Sequence, residues 1–160
     1  MKKLIASLLV LAIAAPAAAQ SSTGMSGMTM KTPPDAPVIT SGTKLFEDFG
    51  GKAGLVAIMD DFMVNLLADP RTRPFFESVD QAHVKTQLVE QFCQILNGGC
   101  TYQGKSMTEV HRGMAIAESD FFALVEALQK AMDKHKVPFG SQNQLLAALA
   151  PQHRVIIAKP

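Results

Sequence analysis

An all-α fold is predicted from three observations. Apolar residues recur at three- and four-residue steps through the second half of the chain and the stretch before it, no β-rich segment or internal repeat is visible, and capping signals open several of the periodic stretches. With 160 residues the chain fits one small domain, and 48% hydrophobic against 18% charged residues is enough to build a substantial apolar core.

Residues 1–19 carry Lys2 and Lys3, an apolar stretch over residues 4–15, and Ala17-Ala18-Ala19 before Gln20. That order reads as a secretory signal peptide and predicts export, to a bacterial periplasm or beyond. The apolar stretch is shorter than the roughly 20 residues of a membrane span, and no cysteine stands near the cleavage site to take a lipid, so no stable membrane anchor is expected. The formal charge is +1; without Lys2 and Lys3, 13 basic residues face 14 acidic ones, a net of −1. A nearly neutral chain without basic clusters offers no surface for nucleic acid. Residues 20–43 are rich in Ser, Thr, Gly and Pro and lack a periodic face, as a flexible leader would. Met25, Met28 and Met30 within it are soft ligands of the kind that suit Cu(I), but with no histidine or cysteine nearby a plain tether accounts for them better.

The first strong stripe is Leu55, Ile58, Met59, Phe62, Met63 and Leu66, which predicts a helix ending before Asp69-Pro70. Val84, Leu88, Phe92 and Ile95 form the second, with Asp80 placed to cap it. Gly98-Gly99 breaks that helix. Ser106 and Glu109 then form a capping box that starts a short helix one turn before His111. Phe121, Leu124, Val125, Leu128 and Met132 mark a long helix. Ser141 with Gln144 reads as another capping box, opening a last helix through Leu145, Leu146 and Leu149 that Pro151 bends or ends. Taken alone, these stripes equally describe the core of an ordinary bundle.

An ordered set of residues adds to the pattern: Leu45-Phe46, Gly50-Gly51, Asp61-Phe62, Leu67-Ala68-Asp69-Pro70, Phe75-Phe76, Gly98-Gly99, Tyr102, Gly104, Met107, His111, Ile116, Phe121 and Val137-Pro138. Residues 44–157 thereby resemble a truncated haemoglobin of group I. The resemblance implies a two-over-two helical sandwich around a b-type haem (iron protoporphyrin IX) whose iron is held by His111. Met107, Phe121, Leu124 and Leu145 would pack on the proximal side or haem edge, Phe76 would stack on the porphyrin, and Phe62, Val84, Gln87 and Leu88 would complete the lining. His83 is a possible propionate contact, whereas His135 and His153 lie near helix ends, where a solvated ring needs no ligand role. The absence of tryptophan argues against groups II and III.

The distal side departs from the relatives. Group I members commonly donate hydrogen bonds to bound oxygen from a tyrosine and a glutamine; here Met63 and Leu88 take those places, with Val84 one turn earlier. An apolar distal pocket of Met63, Val84 and Leu88 would lose a charge-assisted hydrogen bond of roughly 1.5–3 kcal/mol and release oxygen quickly. Gln87 could swing inward, and Met63 could reach the iron as a sixth ligand. The two cysteines, Cys93 and Cys100, are not a CxxCH haem-attachment sequence; in an exported chain they are expected to pair. The implied activity is reversible binding of O2, NO or CO for transport, storage or scavenging. NO dioxygenase or peroxidase-like chemistry would need an external redox partner or reductase, since no GxGxxG stands in the chain. Electron transfer or haem carriage is the further alternative, and the chain by itself leaves the oligomeric state open.

Overall fold

The computed structural model describes residues 36–40 and 42–157; the expected signal peptide, most of the leader and its three methionines lie outside the described residues. The described residues contain eight α-helices and a 3-10 turn, and no strand. They run α1 (Lys44–Asp48), α2 (Gly51–Ala68), α3 (Arg73–Phe76), α4 (Gln81–Ile95), α5 (Met107–Val110), α6 (Glu118–Lys134), α7 (Phe139–Leu149), the turn Ala150–Gln152 and α8 (His153–Ile156).

The chain reverses between α1 and α2 through Gly50 and Gly51, at φ 74° and 63°, where a side chain would be strained. α2 buries Leu55, Ile58, Met59, Phe62, Met63 and Leu66, the stripe its sequence predicts. Its last carbonyls are met by side chains from the following segment. The buried Thr72 hydroxyl donates to Leu66 O at 2.7 Å, and the Arg73 guanidinium donates to Leu67 O at 2.8 Å.

α2 packs against both α4 and α6. On α4 the predicted stripe divides: Phe92 and Ile95 are buried, Val84 and Leu88 only half so, and Val89 and Cys93 fill the rest of the core face. On α6 the buried ridge includes Ala123, Ala127 and Ala131, four residues apart, beside Leu128 and Met132. Phe121, Leu124 and Val125 remain half-exposed. A ridge of small residues lets two helices approach closely, and Asn65 on α2 donates to the Ala127 carbonyl at 3.0 Å.

Helices α4 and α6 end alike. Asn97 and Lys136 adopt left-handed φ of 58°, and the next N–H turns back to the carbonyl five residues earlier, Gly98 to Cys93 at 2.7 Å and Val137 to Met132 at 3.1 Å. The start of α7 corrects the sequence reading. Pro138 is the N-cap residue and its carbonyl accepts from Ser141 and Gln142, so the helix begins before Ser141. The Ser141 hydroxyl donates instead to Asp48 at 2.6 Å, and Gln144 bonds the Gly140 carbonyl. Residues 36–40, assigned from sequence to the leader, contact the domain: Ala36 is buried and Ile39 N–H donates to Ile95 O at 2.7 Å.

Candidate functional site: the His111 imidazole and its surroundings

Four residues of helix suffice to aim His111 because both ends of α5 are tied. Ser106 Oγ accepts from Glu109 N–H at 3.3 Å while the Glu109 carboxylate accepts from Ser106 N–H at 3.1 Å, closing the capping box read from sequence. The same Ser106 contacts hold the Glu109 carboxyl below its ordinary pKa. At the other end His111 is the C-cap residue, and the Met107 carbonyl accepts from its N–H at 3.1 Å and lies 2.8 Å from its Nδ1. With Nδ1 donating to that carbonyl, the ring's lone pair is on Nε2, the arrangement by which proteins orient a metal-ligating imidazole.

The loop ahead of α5 is clamped to α4. Cys93, fully buried on α4, is disulfide-bonded to Cys100. Gln94 Oε1 accepts from Tyr102 N–H at 2.5 Å, and Tyr102 Oη donates to Lys105 O at 2.8 Å. Gly104 sits between the Tyr102 ring and Gln87 Oε1, so closely that a Cβ there would collide with both. This gives the Tyr-x-Gly sequence a physical reason: the tyrosine closes a turn in which only glycine fits against α4.

His111 is half-buried. One side of it lines a cavity of about 390 Å³ with Thr108, Arg112, Gly113, Ala115 and residues 155–157. The residues expected to line the haem lie elsewhere. Phe62, Met63 and Leu145 are buried in the central core, and Met107 is buried on α5; Phe76, Val84, Leu88 and Leu124 are half-buried against that core. Phe121 meets the His153 ring edge-on, centroids 4.8 Å apart.

Among the other histidines, His135 Nε2 pairs with Asp61 at 2.7 Å, and His83 is exposed, giving only its backbone N–H to the Asp80 cap. Gln91 escaped the sequence reading: it is 3% exposed, and its Nε2 has no hydrogen-bond partner. Its position three and seven residues after Leu88 and Val84 was the available signal. Among the described residues no three His, Cys, Asp or Glu side chains cluster as a metal site.

An all-helical domain that orients one imidazole on a short capped helix, clamped to a long helix across it, is an arrangement that can offer a metal ion one nitrogen ligand. The chain belongs to the bacterial-like globin family, whose model matches residues 44–157. It is similar to the group 1 truncated haemoglobin of Tetrahymena thermophila, 30% identical over 106 residues that cover 66% of this chain and 84% of that one. It is likewise 30% identical over 107 residues to the group 1 truncated haemoglobin GlbN of Mycolicibacterium paratuberculosis, covering 67% and 79%. The crystal structure of the truncated haemoglobin from Tetrahymena pyriformis in its Fe(III) form superposes with a TM-score of 0.68 at 28% identity, over 72% of this chain and 98% of that one. The 2/2 haemoglobin of Synechococcus, at 21% identity and a TM-score of 0.67, shares the fold. Membership of this family implies haem-based ligand binding.

The residues present fit such a group. The Met107 carbonyl sets His111 for coordination through Nε2, and two buried amide atoms, Gln87 Oε1 and Gln91 Nε2, are unpaired on α4.

Proposed function

We propose that this chain holds a b-type haem through His111 and reversibly binds small diatomic ligands, O2, NO or CO, for transport, storage or scavenging. When bound, the haem supplies an iron centre at which such ligands attach. The observation that carries the reading is the 2.8 Å contact of His111 Nδ1 with the Met107 carbonyl, which leaves Nε2 as the coordinating atom.

The other side chains shape that environment. Met107 is buried one turn before His111 on the same short helix, and Phe76, Val84, Leu88 and Leu124 present apolar surface at the edge of the core. Met63 is 3% exposed within the central core, which supports a packing role for it over the methionine ligand that an electron-transfer site would use. Export to an oxidising compartment such as the periplasm is supported by the character of residues 1–19 and by the Cys93–Cys100 bridge.

The test is the absorption spectrum of the purified protein, oxidised, reduced and reduced under CO. The reading expects a haem Soret band that shifts on reduction and again with CO. A protein that takes up no haem, or whose reduced spectrum is unmoved by CO, contradicts it.

A further inference from the structure

Buried polar atoms without partners are few in native proteins, and each asks for a reason. Two stand on one helix here: Gln87 Oε1 and Gln91 Nε2, one turn apart on α4, an acceptor and a donor. The third such atom among the described residues, Gln152 Nε2, lies on the turn before α8 and is not part of this stripe. Gln91 is 3% exposed, so its amide meets no bulk water.

The direction of this stripe follows from helical geometry. Val84, Gln87, Leu88 and Gln91 fall at i, i+3, i+4 and i+7 and share one face. Gln87 Oε1 abuts Gly104 and Tyr102, and Gln94 Oε1 accepts from Tyr102 N–H. The Gln87–Gln91–Gln94 edge therefore faces the loop that leads into α5 and His111. Gln91 lies between the other two along the helix and shares their face, beside the half-buried Val84 and Leu88.

We infer that Gln91 is a specificity-determining residue of this site, donating a hydrogen bond from Nε2 to the diatomic ligand, with Gln87 as its positioning partner. The inference rests on the haem-binding reading above. An amide carries two N–H groups. Gln87 Oε1, unpaired and one turn away on the same face, would accept one of them, which leaves the other for the ligand. The positions Met63 and Leu88 carry no donor, so this amide supplies what they lack. A polarised ligand such as O2 gains from a donor, whereas CO gains little. A leucine at position 91 would fill the space without an unpaired amide, so the glutamine lowers stability in a way that ligand selection offsets.

The experiment measures O2 and CO dissociation by stopped flow in the full-length, haem-loaded wild type, in Gln91→Leu and in Gln91→Met, which keeps the side-chain length but lacks the donor at any pH. The C–O stretching frequency of the CO-loaded proteins is recorded in parallel, since a donor aimed at the ligand lowers it. The expected result is O2 release about tenfold faster in both variants, the loss of one hydrogen bond. CO release changes less than about twofold and the stretch rises. Haem-loaded variants with unchanged O2 release and an unchanged stretch overturn the inference and leave haem binding standing. A wild type that takes up no haem overturns the functional reading itself and this inference with it.

Discussion

Gly104 shows how much one residue can fix. Because a Cβ there would strike both the Tyr102 ring and Gln87 Oε1, Gly104→Ala forces the loop off α4 or the two side chains out of place. The expected cost is about 1–3 kcal/mol in urea unfolding, typical of inserting a methyl into a filled space. An unfolding free energy equal to the wild type's would show that the loop does not hold this contact in solution. His111 depends on the same loop at one remove, since Tyr102 grips the Lys105 carbonyl next to the Ser106 cap. Residue types at such points were legible in advance, Ser106, Glu109, Asp80 and Gly104 among them, because each acts over a few residues of chain. Gln91 was not. A glutamine on a helix normally signals solvent, and that expectation outweighs its helical spacing from Leu88 and Val84 until the packing of α4 shows it enclosed.

Helix α4 carries both the core and the clamp. It presents Val89, Phe92 and Cys93 inward, Gln87 and Gln94 to the loop, and Cys93 to the bridge with Cys100 seven residues on. Closing so short a loop constrains the unfolded chain by about 2–3 kcal/mol. Urea unfolding with and without reductant, and of the paired Cys93→Ser, Cys100→Ser variant, should show a loss of that size, the reduced wild type matching the variant. Equal stability of the oxidised and reduced forms would rule out a stabilising bridge. At this scale the sequence revealed the existence of the long helices and the stripe of α2, but it rotated the faces of α4 and α6. The reading counted large apolar side chains, whereas α6 docks through Ala123, Ala127 and Ala131, whose small size is what close packing requires. The misplaced start of α7 has a similar origin. Ser141 and Gln144 have capping-box spacing, yet the hydroxyl is taken by Asp48, 93 positions away, a partner no local pattern can show.

Across the whole molecule, carboxylates tie the helices together at their exposed edges. Lys134 and His135 at the end of α6 bond Asp61 on α2, and the Lys134 contact, then His135, holds the Asp61 carboxyl below its ordinary pKa. Lys44 and then Ser141 do the same for Asp48, and Arg71 brings Asp69 from 3.8 down to about 2. A carboxylate whose folded pKa is depressed binds fewer protons folded than unfolded, so its contribution is complete above the ordinary value and is lost as pH falls toward the folded one. Stability should therefore be level at neutral pH and decline between about pH 4 and about pH 2, with Asp61→Asn flattening the slope. A decline that begins near neutrality, or one that Asp61→Asn does not alter, would mean these pairs do not govern acid unfolding. Haem retention is the property in which the whole arrangement converges, and the direct measurement is haem occupancy of purified His111→Ala beside His135→Ala and His153→Ala. The account predicts that the His111 variant loses its haem or its proximal-ligand spectrum while the other two keep theirs; full occupancy with an unchanged spectrum in His111→Ala would contradict it.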